Sequence, residues 1–223
     1  MEKLIDIQQL RKVYTDGHTI VEALKDVNFH VKDGEFVAIM GPSGSGKSTL
    51  LSILGGLNHP SNGDVIVDGI HIYRLGHEKL ADFRREYLGF VFQQHNLVPY
   101  LTVAENVMLP LSITKCSNKE QTVMASHILE RVGLTDKGNR LPSQLSGGEQ
   151  GRAAIARALV NEPPIILTDE PTGNLDSETA AEIIDLFQEL NSKSQTIIMV
   201  THNEAYAKEA NRIARIFDGK MDS

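Results

Sequence analysis

Eight consecutive residues, Gly41-Pro42-Ser43-Gly44-Ser45-Gly46-Lys47-Ser48, have the types and spacing to hold a phosphate chain. They fit G-x-x-x-x-G-K-[ST], in which glycines let backbone amides converge on phosphate oxygens at a helix N-terminus. Lys47 adds a point charge for β and γ phosphates. Ser48 would hold Mg²⁺, a hard cation that keeps most of its water and needs only a hydroxyl and phosphate oxygens nearby. Thr49 offers a further phosphate contact. A Gly-rich β-turn could carry the same letters, but here the full pattern follows an apolar run, Phe36 to Met40, and leads into a predicted helix over Lys47 to Leu57, the setting such a motif requires.

Two carboxylates, Asp169 and Glu170, end a second apolar run, Ile165 to Thr168. A strand there would present them at its C-terminal edge, where ligands of open α/β sheets bind. Asp169 is read as a partner of Mg²⁺, direct or through a water, and Glu170 as the general base that polarises an attacking water. Taken alone, the pair would serve equally well as an exposed acidic turn before Pro171. A third run, Thr196 to Thr201, ends in His202, which would emerge on the same edge near the γ-phosphate and can donate a hydrogen bond there. A second loop, Leu145-Ser146-Gly147-Gly148-Glu149, precedes an Ala-rich helix expected over Ala153 to Val160. Ser146 with Glu149 satisfies a plain helix capping box. Two glycines just inside a helix nevertheless cost about 1 kcal/mol each relative to Ala, which makes sense if backbone must approach an anion, so this helix start is a second phosphate site.

The elements that must position these groups can be read coarsely. Leu4 to Ile7 and Val27 to Val31 alternate like strands of a half-exposed sheet, with turns at Asp16-Gly17, Asp33-Gly34 and Asp218-Gly219. Phe36 to Met40, Ile165 to Thr168 and Thr196 to Val200 are apolar throughout, as strands buried on both faces are. A helix is expected over Ser177 to Leu190, and strands alternating with helices imply a parallel sheet. Between about Gln94 and Asn161 helical periodicity dominates, as in Ala125, Ile128, Leu129 and Val132.

Across essentially the whole chain these segments resemble the ABC ATPase family: GPSGSGKS is similar to its Walker A, LSGGE to its signature and IILTDE to its Walker B, in the family's order. The resemblance implies an α/β fold, a P-loop NTPase (RecA-like) parallel-sheet core with an N-terminal antiparallel β-subdomain and an inserted α-helical subdomain. One domain would span 1–223, with 1–93 and 162–223 as core and 94–161 as the helical subdomain. It also implies that Tyr14 stacks on adenine, Gln93 senses Mg²⁺ and water, Asp176 of GNLD is the D-loop and His202 the switch histidine. In that family the P-loop of one subunit and the signature of another enclose each ATP, so the expected partners are a second copy and an integral membrane permease. DEPTGNLD and FVFQQHNLVPYLTVAENVMLPL resemble the macrolide-exporter and lipoprotein-release branch, which implies export or membrane extraction. Glu149 stands where many members have Gln, and Gly151 where Gln is frequent.

Composition removes competing classes. The 223 residues carry 22 Lys and Arg against 29 Asp and Glu, a net charge of -7, the wrong sign for a protein held on nucleic acid by counterion release. A single cysteine, Cys116, cannot close an internal disulfide. No apolar run approaches the ~20 residues that span a bilayer, so any membrane role is borrowed from a partner; with the permease that the resemblance implies, the expected location is cytoplasmic, peripheral on the inner face of the cell membrane. The alternative is an ABC ATPase with a non-transport role. Its chromosome-type members need a long coiled coil and its translation-type members two ATPase units, and neither pattern is present. A small GTPase would need NKxD, and Asn118-Lys119-Glu120-Gln121 lacks the Asp. The permease contact is expected after Gln93, where Val98, Tyr100, Leu101, Val103 and Val107 are either docking side chains or core.

Overall fold

The computed structural model describes residues 3–17 and 19–222. Alternating apolar positions make the opening segment a hairpin of two long strands, β1 (Lys3–Asp16) and β2 (Thr19–Lys32). Ile5, Ile7, Leu10, Leu24, Val27 and Val31 are buried on its inner face. Register shifts between Ile7 and Leu10 and between Lys12 and Val13 bend it, as bulges do. After β3 (Phe36–Met40) and α1 (Lys47–Leu54) come β4 (Asn62–Val67) and β5 (Ile70–His71). These complete an antiparallel four-stranded sheet of order β2-β1-β4-β5.

The chain continues through α2 (His77–Tyr87), β6 (Leu88–Phe92), α3 (Val103–Met108), α4 (Asn118–Arg131) and α5 (Gly147–Leu159). It closes with β7 (Ile165–Asp169), α6 (Ser177–Ser192), β8 (Thr196–Val200), the short α7 (Glu204–Ala207), β9 (Arg212–Phe217) and β10 (Lys220–Asp222). The second sheet has six strands in the order β10-β9-β3-β8-β7-β6, all neighbours parallel except β10 on β9. Each inner strand is apolar at successive positions because both faces are covered. Val37 and Ile39 of β3 face the layer formed with α1 and the antiparallel sheet, whereas Phe36, Ala38 and Met40 face the helices α3 to α6.

The parallel sheet and the α/β class are as expected. Two differences have physical causes. β6 was not anticipated, because Gly89 dilutes the apolar run Leu88–Phe92. The helix after the signature begins at Gly147 rather than Ala153, since a satisfied capping box starts a helix ahead of its apolar stripe. It runs unbroken through Gly151, where a Cβ would stand 3.2 Å from Ile183 Cδ1 and 3.5 Å from His95 Cε1. Glycine there admits close packing of α5 on α6. Val103 and Val107 are core, while Tyr100 is exposed.

Candidate active site

The P-loop joins β3 to α1, and its shape follows from contacts within the loop and with β2 and the β9–β10 turn. Gly46 holds φ 106 and lies where a Cβ would be 2.5 Å from Ala23 O, so only glycine fits. Ser45 N donates to Pro42 O (3.2 Å), Gly219 N to Ser45 O (3.0 Å) and Leu50 N to Gly46 O (2.8 Å), which fasten the loop to the start of α1 and to the β9–β10 turn. Lys47 is buried, with Nζ donating to Gly41 O and Pro42 O at 2.8 Å each. An ammonium bonded to carbonyls of its own loop is held in the cradle, ready for an anion.

β7 and β8 deliver the other groups to the same edge of the sheet. A cleft of about 660 Å³ is lined by Gly41 to Gly44, Gly46 to Thr49, Gln93, Asp169, Glu170 and His202, together with Ala23 and Val200. Burial pushes the Asp169 carboxyl up from its ordinary value; the Ser48 hydroxyl beside it and Lys47 oppose this, and the Glu170 carboxylate adds to it. A hydroxyl and a carboxylate side by side are hard oxygen donors, a set that fits Mg²⁺. Glu170 has φ 47, a left-handed conformation held by its N–H bonding to Val200 O at 2.9 Å. Its carboxylate is fixed from β8: His202 Nδ1 stands 2.7 Å from Oε1, and Thr201 Oγ1 donates to Oε2 at 3.3 Å. His202 thus both lines the cleft and fixes Glu170.

The remaining sequence candidates lie elsewhere. None of Ser146, Gly147, Gly148, Glu149 and Asp176 lines the cleft. Ser146 caps α5: its Oγ accepts from Glu149 N at 3.2 Å, and Glu149 Oε2 accepts from Ser146 N at 2.8 Å. Lys137 Nζ, 2.8 Å from Glu149, holds that carboxyl below its ordinary value together with the Ser146 N–H. Asp176 caps α6 through Glu178 N, Thr179 N and Thr179 Oγ1, bonds that lower its carboxyl. Gly148 is buried, and a Cβ there would strike Thr179 Cγ2, while one on Gly147 would be 3.1 Å from Leu175 Cδ2. Packing of α5 against the start of α6 therefore accounts for Gly148, a reason that the anion argument alone omitted. Tyr14 stands on β1 opposite Val21, two residues from the cleft-lining Ala23.

Three contacts were not anticipated. Thr201 fixes Glu170, and its place just before His202 at a strand end was the available signal. Asn174 Nδ2 donates to Gln93 O at 3.1 Å, which ties the segment after Gln93 to the Asp176 loop. Arg157 of α5 donates to His95 O and Asn96 O at 2.6 Å each, clamping two residues with φ 58 and 48. Burial lowers both Arg157 and the His95 imidazole from their ordinary values, and Arg157 adds to the effect on His95.

Comparison with known proteins identifies the family and the fold. The family model described as ABC transporter matches residues 24–173. The chain is 44% identical over 222 residues to the lipoprotein-releasing system ATP-binding protein LolD of Geobacter metallireducens, covering 99% of each. It is 46% identical over 220 residues to the macrolide export ATP-binding/permease protein MacB of Bdellovibrio bacteriovorus, covering 99% of this chain and 34% of that longer one. The fold matches a dimeric post-hydrolysis structure, bound to ADP and Pi, of the ATP-binding cassette MJ0796, a protein of Methanocaldococcus jannaschii, at TM-score 0.89 and 45% identity, covering 98% of this chain and 97% of that one. With cradle, carboxylates and signature helix in this order and fold, the chain belongs to the ABC transporter family.

Proposed function

We propose that this chain is the ATP-hydrolysing subunit of a membrane transporter, acting as a pair of copies that share two ATP sites and drive a separate permease, in export or membrane extraction. One observation carries the reading: the cleft is lined by the P-loop, the carboxylate pair and His202, whereas the signature residues that start α5 do not line it. Each half is incomplete, and a second copy supplies what is missing.

In the closed pair, backbone amides of Ser43, Gly44, Ser45, Gly46 and Thr49 bind phosphate oxygens from one copy, and Lys47 neutralises them. Ser48 and Asp169, with Gln93 beside them, would hold Mg²⁺, whose chemistry there would be charge neutralisation on the phosphates. Ser146, Gly147 and Gly148 of the other copy present the α5 N-terminus to the terminal phosphate, and Asp176 sits at the same seam. Glu170 takes the proton from the attacking water. A hydrogen bond from His202 Nδ1–H, with Thr201, keeps the carboxylate aimed. Tyr14 stacks on adenine.

Among the described residues no helix is long and apolar enough to cross a membrane, so the chain would sit on the membrane through its partner. The docking surface is a groove of about 560 Å³ lined by Leu57, Phe90, Phe92, Pro110, Ile113 and Arg157. Leu57 and Ile113 are 54% and 68% exposed, apolar surface that a partner helix would cover.

The shared site has a direct test. Lys47→Ala breaks the cradle and Ser146→Arg blocks the signature, so each variant alone should be inactive. Mixed, they should recover hydrolysis, because one of the two sites in the mixed pair is intact. A mixture as inactive as its components sinks the shared-site reading.

A further inference from the structure

Asn58 ends the turn that follows α1, and its hydrogen bonds join that helix to one aromatic ring. Its backbone N–H donates to Ser52 O at 3.2 Å, and its carbonyl accepts from Tyr73 Oη at 2.7 Å, so the residue is fixed to the P-loop helix. Its side chain reaches across to the opening hairpin. Oδ1 accepts from Lys12 Nζ at 2.9 Å, and Nδ2 donates to Tyr14 Oη at 2.7 Å. Lys12 Nζ also donates to His59 O at 2.7 Å and lies 4.9 Å from the centre of the Tyr14 ring, drawn to its electron-rich face. Tyr14 is thereby held at its hydroxyl and against one face while remaining 41% exposed.

We propose that Asn58 is a positioning residue for the nucleotide base: with Lys12 it fixes where the Tyr14 ring stands relative to the phosphate cradle. The inference rests on the reading of Tyr14 as the adenine platform and goes beyond it by naming what sets that platform. α1 begins at the cradle and runs about 12 Å to the turn whose Asn58, four residues past Leu54, is bonded back to Ser52 O. An aromatic side chain on an exposed strand would otherwise have to be ordered when ligand binds, which weakens binding. Here the ordering is done before the nucleotide arrives, by Asn58 and Lys12, which do not line the cleft.

The test compares two competitors for a fluorescent ATP analogue: ATP itself, and inorganic tripolyphosphate, which engages the cradle alone. Asn58→Ala and Tyr14→Phe each remove the same hydrogen bond. Each should weaken ATP about threefold to tenfold, the range of one net hydrogen bond, raise KM without lowering kcat, and leave tripolyphosphate unchanged. The double variant should be no weaker than the worse single one, and Asn58→Asp, which can accept from both Lys12 and the tyrosine hydroxyl, should restore ATP affinity. Equal loss for both competitors in Asn58→Ala would mean that Asn58 merely supports the fold, and would overturn the proposal. Tyr14→Ala separates the two layers of the argument. If it loses ATP affinity while Asn58→Ala does not, the platform stands and the positioning role falls; if it leaves ATP affinity intact, the platform reading itself fails.

Discussion

Glu170 holds a left-handed φ of 47, a conformation that costs of order 1–3 kcal/mol for a residue with a side chain. The N–H bond to Val200 O and the two side-chain bonds from Thr201 and His202 keep it there. A carboxylate so over-determined is oriented for a task, and the task assigned is proton abstraction. Glu170→Gln keeps the shape and removes the basicity. It should retain ATP affinity and slow hydrolysis by about 10²–10⁴-fold, the usual contribution of a general base, as read by phosphate release against nucleotide binding. Normal turnover in that variant would remove Glu170 from the base role.

At the scale of elements, the helices between β6 and β7 share one device. Thr102 with Glu105, Ser117 with Glu120 and Ser146 with Glu149 are capping boxes at the starts of α3, α4 and α5. The Thr102 backbone N–H lowers Glu105, the Ser117 hydroxyl lowers Glu120 and Lys137 lowers Glu149. A carboxyl depressed in the folded state stabilises above its unfolded value of about 4.3 and loses that contribution as pH falls through the folded value. Melting temperature should therefore drop between about pH 5 and pH 3 more steeply in the native chain than in a triple Glu→Gln variant, since glutamine caps without titrating. Equal slopes would show that the caps are not linked to pH. Gly148→Ala sets two effects against each other: a helix-propensity gain of about 1 kcal/mol and an overpacking cost of about 1–3 kcal/mol. Overpacking should win, because Thr179 is held by Asp176 through both N–H and hydroxyl and cannot retreat. Thr179→Ser removes the obstructing methyl and should recover the loss in denaturant melts; a Gly148→Ala variant more stable than the native chain would contradict the packing account.

For the whole molecule, the proposed sharing of two sites between copies predicts that oligomeric state depends on nucleotide. Light scattering should find the Glu170→Gln variant largely monomeric without ATP and doubled in mass with it, because binding continues while the step that reopens the pair is blocked. No change in mass on adding ATP would count against two shared sites. The exposed apolar groove beside α5 is a separate feature. It lies next to Arg157, which also grips the turn after Gln93, so a partner seated there would touch the residue that holds that turn.

Short-range chemistry was legible in the residues themselves. The P-loop, the Asp169–Glu170 pair, the capping box at Ser146 and the buried strands β3, β7 and β8 are contiguous motifs whose residue types and spacing stand together in the chain. What required the tertiary structure was every contact between distant segments. Thr201 and His202 meet Glu170 because β8 lies beside β7 in register, Asp169 opposite Val200. Asn174 meets Gln93 from 81 residues away, and Asn58 meets Tyr14 from 44. Such meetings follow from strand order and from how helices cover each face of the sheet. Periodicity reports only that a face is apolar; it carries no information about which other face will cover it, so the partners of Glu170, Gln93 and Tyr14 were decided by the fold.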